Sequence, residues 1–258
     1  MSSEGIWVYA VVRAEHADDR VTGLHGVAAE PIRVVATDDL AAVVGAVGLD
    51  EFGHDALHRN LEDLDWVANT ARAHDAVITA VARFGPVIPV RMATVYLDDA
   101  RVRKLLEDRR DDFGATLCRL SGRDELGVKV FADPKALLPQ DGHQDDSGPQ
   151  TGTAYLMRRK RALASREEAY QVAAVEADRI HSTLMRHAVD GKRRPPPDRS
   201  LTGKDEVTVL NGTYLVDSDA IELFRETVAA LAMSTGRLSL ELTGPWPPYS
   251  FAGEPIAE

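Results

Sequence analysis

The sequence predicts an α+β protein in two parts. The first is an N-terminal α+β domain over residues 1–97. The second, over residues 98–258, has the βαββαβ order of a ferredoxin-like unit and includes one long helix. Three observations carry this. Short β-branched and aromatic runs recur at 6–13, 32–36, 40–47 and 126–131. Longer stretches of helical period separate them. In the second half the two kinds of segment follow one another as strand, helix, strand, strand, helix, strand.

The first run, I-W-V-Y-A-V-V-R at 6–13, reads as a buried strand, followed by a polar loop through Asp18, Asp19 and Gly23. Residues 32–36 and 40–47 are two strands joined by Thr37-Asp38-Asp39, which suits antiparallel pairing. From Asp50 to Phe84 the period is helical. Leu57, Leu61, Leu64, Val67, Ala71, His74, Ile78 and Val81 form its stripe, and Gly85-Pro86 stops it. Residues 87–96 are extended and confined by Pro86 and Pro89 to a sheet edge or strand end. Arg91 is the one charge there, and a solvated edge charge or internal salt bridge is its ordinary reading.

Asp98-Asp99 opens a helix that runs to about Leu120, with Val102, Leu105, Leu106, Phe113, Leu117 and Leu120 inward. After the strand at 126–131, residues 133–151 carry almost nothing apolar and read as a mobile insert. The long helix spans about 153–189. Leu156, Leu163, Tyr170, Ala177 and Leu184 recur every seven residues, with Ala173 and Ile180 beside them, as in a heptad seam. Its basic run Arg158-Arg159-Lys160-Arg161 fits a solvated face better than an acidic partner. Residues 192–197 read as an exposed connection. Asn211-Gly212 signals a type I′ hairpin between 206–210 and 213–216, a single kinked strand being the alternative. A helix follows from Asp217, Ser218 or Asp219 to Thr235, ended by Gly236.

The last stretch, 237–251, begins with Leu238, Leu240 and Leu242 alternating with polar residues. Pro245, Pro247 and Pro248 then argue against any further sheet. The outcome is a proline-stiffened segment presenting Trp246, Tyr249 and Phe251, with Trp246 and Phe251 clamped mostly onto the protein's own domain.

Composition narrows the function. With 258 residues, 44% apolar and 28% charged, and net charge −11, nothing favours nucleic acid or anionic membrane. No apolar run is long enough for a membrane span, and the N-terminus lacks a signal-peptide pattern, so the expected location is cytoplasmic. Cys118, the sole cysteine, excludes an internal disulfide.

Candidate chemistry is sparse. His54-Asp55-Ala56-Leu57-His58 has the H-x-x-x-H spacing that puts two imidazoles on one helical face, and a metal-dependent hydrolase would use them so. Asp55 is shorter than the usual glutamate base, and His74 is the next histidine, with no ligand motif around it. No dinucleotide, phosphate-loop or nucleophile-elbow motif occurs, so no cofactor, metal or catalytic residue is assigned and no enzyme is expected. A small-molecule-sensing ferredoxin-like module is the other alternative.

Three strings stand out: I-W-V-Y-A-V-V-R at 6–13, G-P-V-I-P-V-R-M-A-T-V-Y at 85–96 and L-E-L-T-G-P-W-P-P-Y-S-F at 240–251. Together they resemble the gas vesicle accessory proteins of the GvpF/GvpL family. Met92-Ala93 stands where the family more often has Phe-Gly, and an alanine there points to a backbone with no need of positive φ. The resemblance implies a non-enzymatic factor of early vesicle assembly. Its partners would be the hydrophobic shell protein GvpA and other gas vesicle proteins, and it could be retained at the vesicle. Oligomeric state is left open. Arg91, Trp246, Tyr249 and Phe251 are the candidate partner-binding residues.

Overall fold

The computed structural model describes residues 4–15, 17–132, 152–195, 207–236 and 238–253. Two compact units divide the chain, Met1–Glu125 with Trp246–Glu258, and Leu126–Pro245.

The first unit is built on β1 (Glu4–Arg13), whose residues are buried from Gly5 to Val12 as its β-branched and aromatic composition requires. One edge pairs antiparallel with β3 (Leu40–Gly48), which pairs in turn with β2 (Arg33–Ala36). The Thr37 amide donates to the Leu40 carbonyl at 2.8 Å and closes the β2–β3 turn. The other edge of β1 meets two short strands, β4 (Ile88–Pro89) and β5 (Val95–Tyr96). Trp7, Tyr9, Val43, Phe52, Ile78 and Val81 belong to the core beneath this sheet.

Helices depart from the expected outline in three places. A short α1 (Ala17–Val21) stands where a polar loop was expected, burying Ala17 and Val21. The stretch expected as one helix from Asp50 to Phe84 is three: α2 (Leu49–Phe52), α3 (His54–Asn60) and α4 (Leu64–Ala82). Gly53 breaks the first pair, where a Cβ would strike the Leu49 carbonyl. Asp63 caps α4 by accepting from the amides of Asp65 and Trp66. In consequence Leu61 and Leu64 of the expected stripe are exposed, while His74, Ile78 and Val81 are buried as expected, together with Thr70 and Val77. The helix after Asp98 likewise divides at Arg109 into α5 (Asp99–Asp108) and α6 (Arg110–Leu120).

Both helices cluster with the first unit, as do Trp246–Glu258, so the division differs from the boundary expected at 97/98. The ties are visible. Arg33 of β2 grips Asp99 with two bonds of 3.0 and 2.7 Å, Arg110 pairs with Asp39 at 3.0 Å, and Arg13 donates to the Gly114 carbonyl.

The second unit uses β6 (Arg123–Ala132), α7 (Gly152–Met185), β7 (Asp190–Arg193), β8 (Val207–Asp217), a 3-10 turn at Ser218–Ala220, α8 (Ile221–Thr235) and β9 (Leu238–Trp246). Its sheet order is β7-β8-β6-β9. Among the described residues the element order is the βαββαβ read from sequence, but the inner pair is composed differently. Asn211-Gly212 makes no hairpin turn, since neither residue has the positive φ a type I′ turn needs. β8 runs straight through it, pairing Gly212 with Arg193 and Leu215 with Asp190 of β7, a strand whose last two residues fall in the stretch expected as an exposed connection. Glycine serves at 212 because a Cβ would press into the Tyr214 ring. The turn at Ser218–Ala220 precedes α8, and the Asp217 side chain makes no capping bond. Gly236, at φ 45°, ends α8 as expected.

β9 continues past Leu242 through a cis Gly244–Pro245 peptide to Trp246, contrary to the expectation that proline would end it. It lies at the sheet edge, the place in a sheet where proline is tolerated. The described part of the heptad seam, Ala173, Ala177, Ile180 and Leu184, is buried against Leu126, Val128, Val130 and Tyr214. It packs on the unit's own sheet. The side chains of Leu156, Leu163, Tyr170, Arg158 and Arg161, and the expected insert at 133–151, lie outside the described residues.

Candidate functional site

A cleft of about 860 Å³ opens in the first unit between three pieces of chain, residues 49–61, 91–97 and 101–108. Each piece is placed by local chemistry. α2 and α3 turn on each other at Gly53 and bring Leu49, Phe52, Leu57, His54, His58 and Leu61 to one wall.

The second wall is a protrusion from the sheet. The Val90 amide donates to the Tyr9 carbonyl at 2.9 Å and the Val8 amide to the Thr94 carbonyl at 3.0 Å, so 91–93 bulge away from β1. The register of β1 on β3 also shifts between Val8 and Ala10. The Thr94 hydroxyl closes the bulge on the Arg91 carbonyl at 2.8 Å. Ala93 sits at φ 68°, so the expectation that alanine here marks an unstrained backbone is overturned.

The third wall is one face of α5. Asp98 caps the helix by accepting from the Arg101 amide at 2.8 Å. Val102 and Leu106 then face the core, and Arg101, Lys104, Leu105 and Asp108 face the cleft at i, i+3, i+4 and i+7.

Behind the bulge lies a buried polar relay. The His74 ring is engaged at both nitrogens, by the Trp7 indole and the Val90 carbonyl, each at 3.0 Å. Burial pushes its pKa below the ordinary imidazole value. A similar lock holds Tyr9, whose hydroxyl donates to Glu30 at 2.6 Å and accepts from the Val27 amide at 2.9 Å. Burial and the Glu30 bond push that phenol's pKa up.

The cleft combines an apolar lining with basic side chains. Leu49, Phe52, Leu57, Met92, Val95 and Leu105 line it, with Leu61 and Leu97 left 44% and 58% exposed at its margin. Of its fully charged side chains Arg91, Arg101 and Lys104 are cations, and Asp108 is the carboxylate. Asp108 is engaged by Lys104 at 2.8 Å, while Arg101 reaches Asp98 only at 3.8 Å.

His54 and His58 share a wall of the cleft with ring centroids 4.8 Å apart. Among the described residues no group of three or more His, Cys, Asp or Glu could hold a metal ion. His74 is committed elsewhere by both nitrogens.

Arg91 is exposed on the cleft wall, and among the described residues no ion pair engages it. The structure does not bring it together with the aromatic tail, which lines no part of the cleft. Within the tail, Phe251 is buried and Tyr249 bonds to Asp75 at 3.3 Å, but Trp246 is 50% exposed. The amide and hydroxyl of Ser250 donate to the buried Glu125 carboxylate at 2.7 and 2.5 Å. Sequence reading singled out Arg91 and put Leu105 on the inward side of its helix, but missed Arg101 and Lys104. Their signal was the polar face of α5, opposite the stripe already identified.

A family model described as gas vesicle synthesis protein GvpL/GvpF matches residues 5–253. Gas vesicle protein L of Streptomyces sp. (strain CB03234) is 45% identical over 98% of this chain and 93% of its own length. Gas vesicle protein F of the same strain is 27% identical, covering 95% of this chain and 98% of its own. The crystal structure of the gas vesicle protein GvpF from Anabaena sp. PCC7120 superposes with TM-score 0.67 over 99% of both chains at 20% identity.

Proposed function

The chain belongs to the GvpL/GvpF family of gas vesicle synthesis proteins, and from that premise we propose that it is a non-catalytic assembly factor that binds the hydrophobic shell protein GvpA. Membership supports a role in gas vesicle formation. The greater identity to the L-type than to the F-type Streptomyces relative supports an L-type member.

The observation that carries the binding reading is the cleft, with its apolar lining and leucines exposed at the margin. A subunit that walls off gas presents apolar surface that aggregates unless covered, and an acidic carrier with a local apolar recess can cover it until incorporation. The other vesicle proteins are partners in the same sense, and the site of action is the growing vesicle. No described helix is long and apolar enough to cross a membrane. We also read the second unit as ferredoxin-like. Its βαββαβ order supports this, as does the sheet order β9-β6-β8-β7, first strand beside fourth and third.

Co-expression of the full chain with GvpA, followed by pull-down on a tag carried by this protein, tests the binding. Retention of GvpA is expected; its complete loss to the unbound fraction would refute the reading.

A further inference from the structure

We propose that the cleft between α3, the 91–97 bulge and α5 docks an amphipathic helix of a partner protein, one with an apolar ridge flanked by carboxylates. The inference deepens the assembly-factor reading and rests on it only for the partner's identity.

Three features select this occupant. The chain carries net charge −11, yet the cleft gathers three cations on its walls against one carboxylate. That one, Asp108, is already neutralised by Lys104 at 2.8 Å. Among the described residues no ion pair engages Arg91, and Arg101 has only the exposed 3.8 Å pair with Asp98, so an arriving carboxylate would meet two guanidiniums able to take it in bidentate fashion. The cations also stand at different walls, Arg91 on the bulge and Arg101 on the helix, and so can engage charges on two sides of one apolar ridge.

Leu61 and Leu97 favour a helix over a small molecule. They are exposed at the margin of the cleft, beyond what a ligand seated on its floor would cover. A helix laid along the cleft can bury the floor and the margin together through residues at i, i+3, i+4 and i+7.

The test uses the full chain and two labelled helical peptides of about 18 residues, ~27 Å long. Both have leucine at the four anchor positions of each repeat; one is otherwise glutamate-rich, the other lysine-rich. Fluorescence anisotropy is expected to show saturable binding of the glutamate peptide only. Arg91→Glu/Arg101→Glu, both at exposed positions, is expected to weaken it by about tenfold or more with an unchanged melting temperature. Raising salt from about 0.1 to 1 M, which shortens the Debye length from ~10 to ~3 Å, is expected to weaken it as well.

Equal binding of both peptides, binding of neither, or full binding by the double variant would each overturn the proposal. So would a concentration-dependent dimer abolished by that variant, which would assign the cleft to a second copy of the chain. Binding of the glutamate peptide alongside failure to retain GvpA would leave the cleft's role standing and refute the partner assignment. Retention of GvpA by the double variant as by wild type would do the reverse.

Discussion

Trp7 donates its indole N–H to Nδ1 of His74 at 3.0 Å, tying β1 to α4 across 67 residues of sequence. Because Nδ1 accepts, the proton sits on Nε2 and is donated to the Val90 carbonyl at 3.0 Å. A neutral imidazole therefore holds the residue that precedes Arg91, and the wall of the cleft is fixed from within the core.

That arrangement makes stability depend on pH in a definite direction. Burial holds the folded pKa of His74 below its ordinary value, while the unfolded chain takes up the proton near pH 6.5. The stabilisation is complete above about pH 6.5 and is lost as pH falls toward the folded value. His181, kept low by burial and Arg193, acts in the same sense. Urea unfolding at about pH 7.5 and 5.5 is expected to show a larger loss in wild type than in His74→Phe, which is less stable at the higher pH. Equal losses would remove His74 as the source.

Ala93 is held at φ 68°, where a side chain is disfavoured by about 1–2 kcal/mol. Ala93→Gly is expected to raise the unfolding free energy by about 1 kcal/mol, read as a higher unfolding midpoint. A lower midpoint would mean that the methyl group's own packing outweighs the strain.

Gly45 is needed for room. A Cβ there would run into the Glu30 carboxylate, which is held by Tyr9 and by the Ala28 amide. Gly45→Ala is expected to destabilise by about 1–3 kcal/mol through overpacking and the displaced polar bonds. Thermal unfolding checks it, and an unchanged midpoint would show that the Glu30 loop yields freely.

The tail separates by burial. Phe251 is 1% exposed and Trp246 50%, so Phe251→Ala is expected to lose about 3–5 kcal/mol, and Trp246→Ala less than about 1. Circular dichroism melts of the two variants check this. If Trp246→Ala were as damaging, Trp246 would be part of the clamp after all.

These contrasts show what the sequence could disclose. β1 and the strand at 126–131 were legible because short apolar, β-branched runs report buried strands directly. The breaks at Gly53 and Arg109 were not, since a helical stripe can run across a kink without changing period. Of the two readings of Asn211-Gly212, hairpin turn or single strand, the single strand is observed, because Gly212 answers to the Tyr214 ring, a contact with no signature in a dipeptide. The family strings were plain, and Arg91 stood out among apolar neighbours. The cleft itself was hidden, because it forms only when three separated segments meet and its basic wall is the ordinary polar face of α5.

The central claim is that this chain is required to build gas vesicles. Its most direct test is a count of vesicles by electron microscopy in a vesicle-forming strain lacking the gene, with and without the wild-type gene restored. The account predicts loss of vesicles on deletion and their return on complementation. Vesicles of normal number and form in the deletion strain would contradict it.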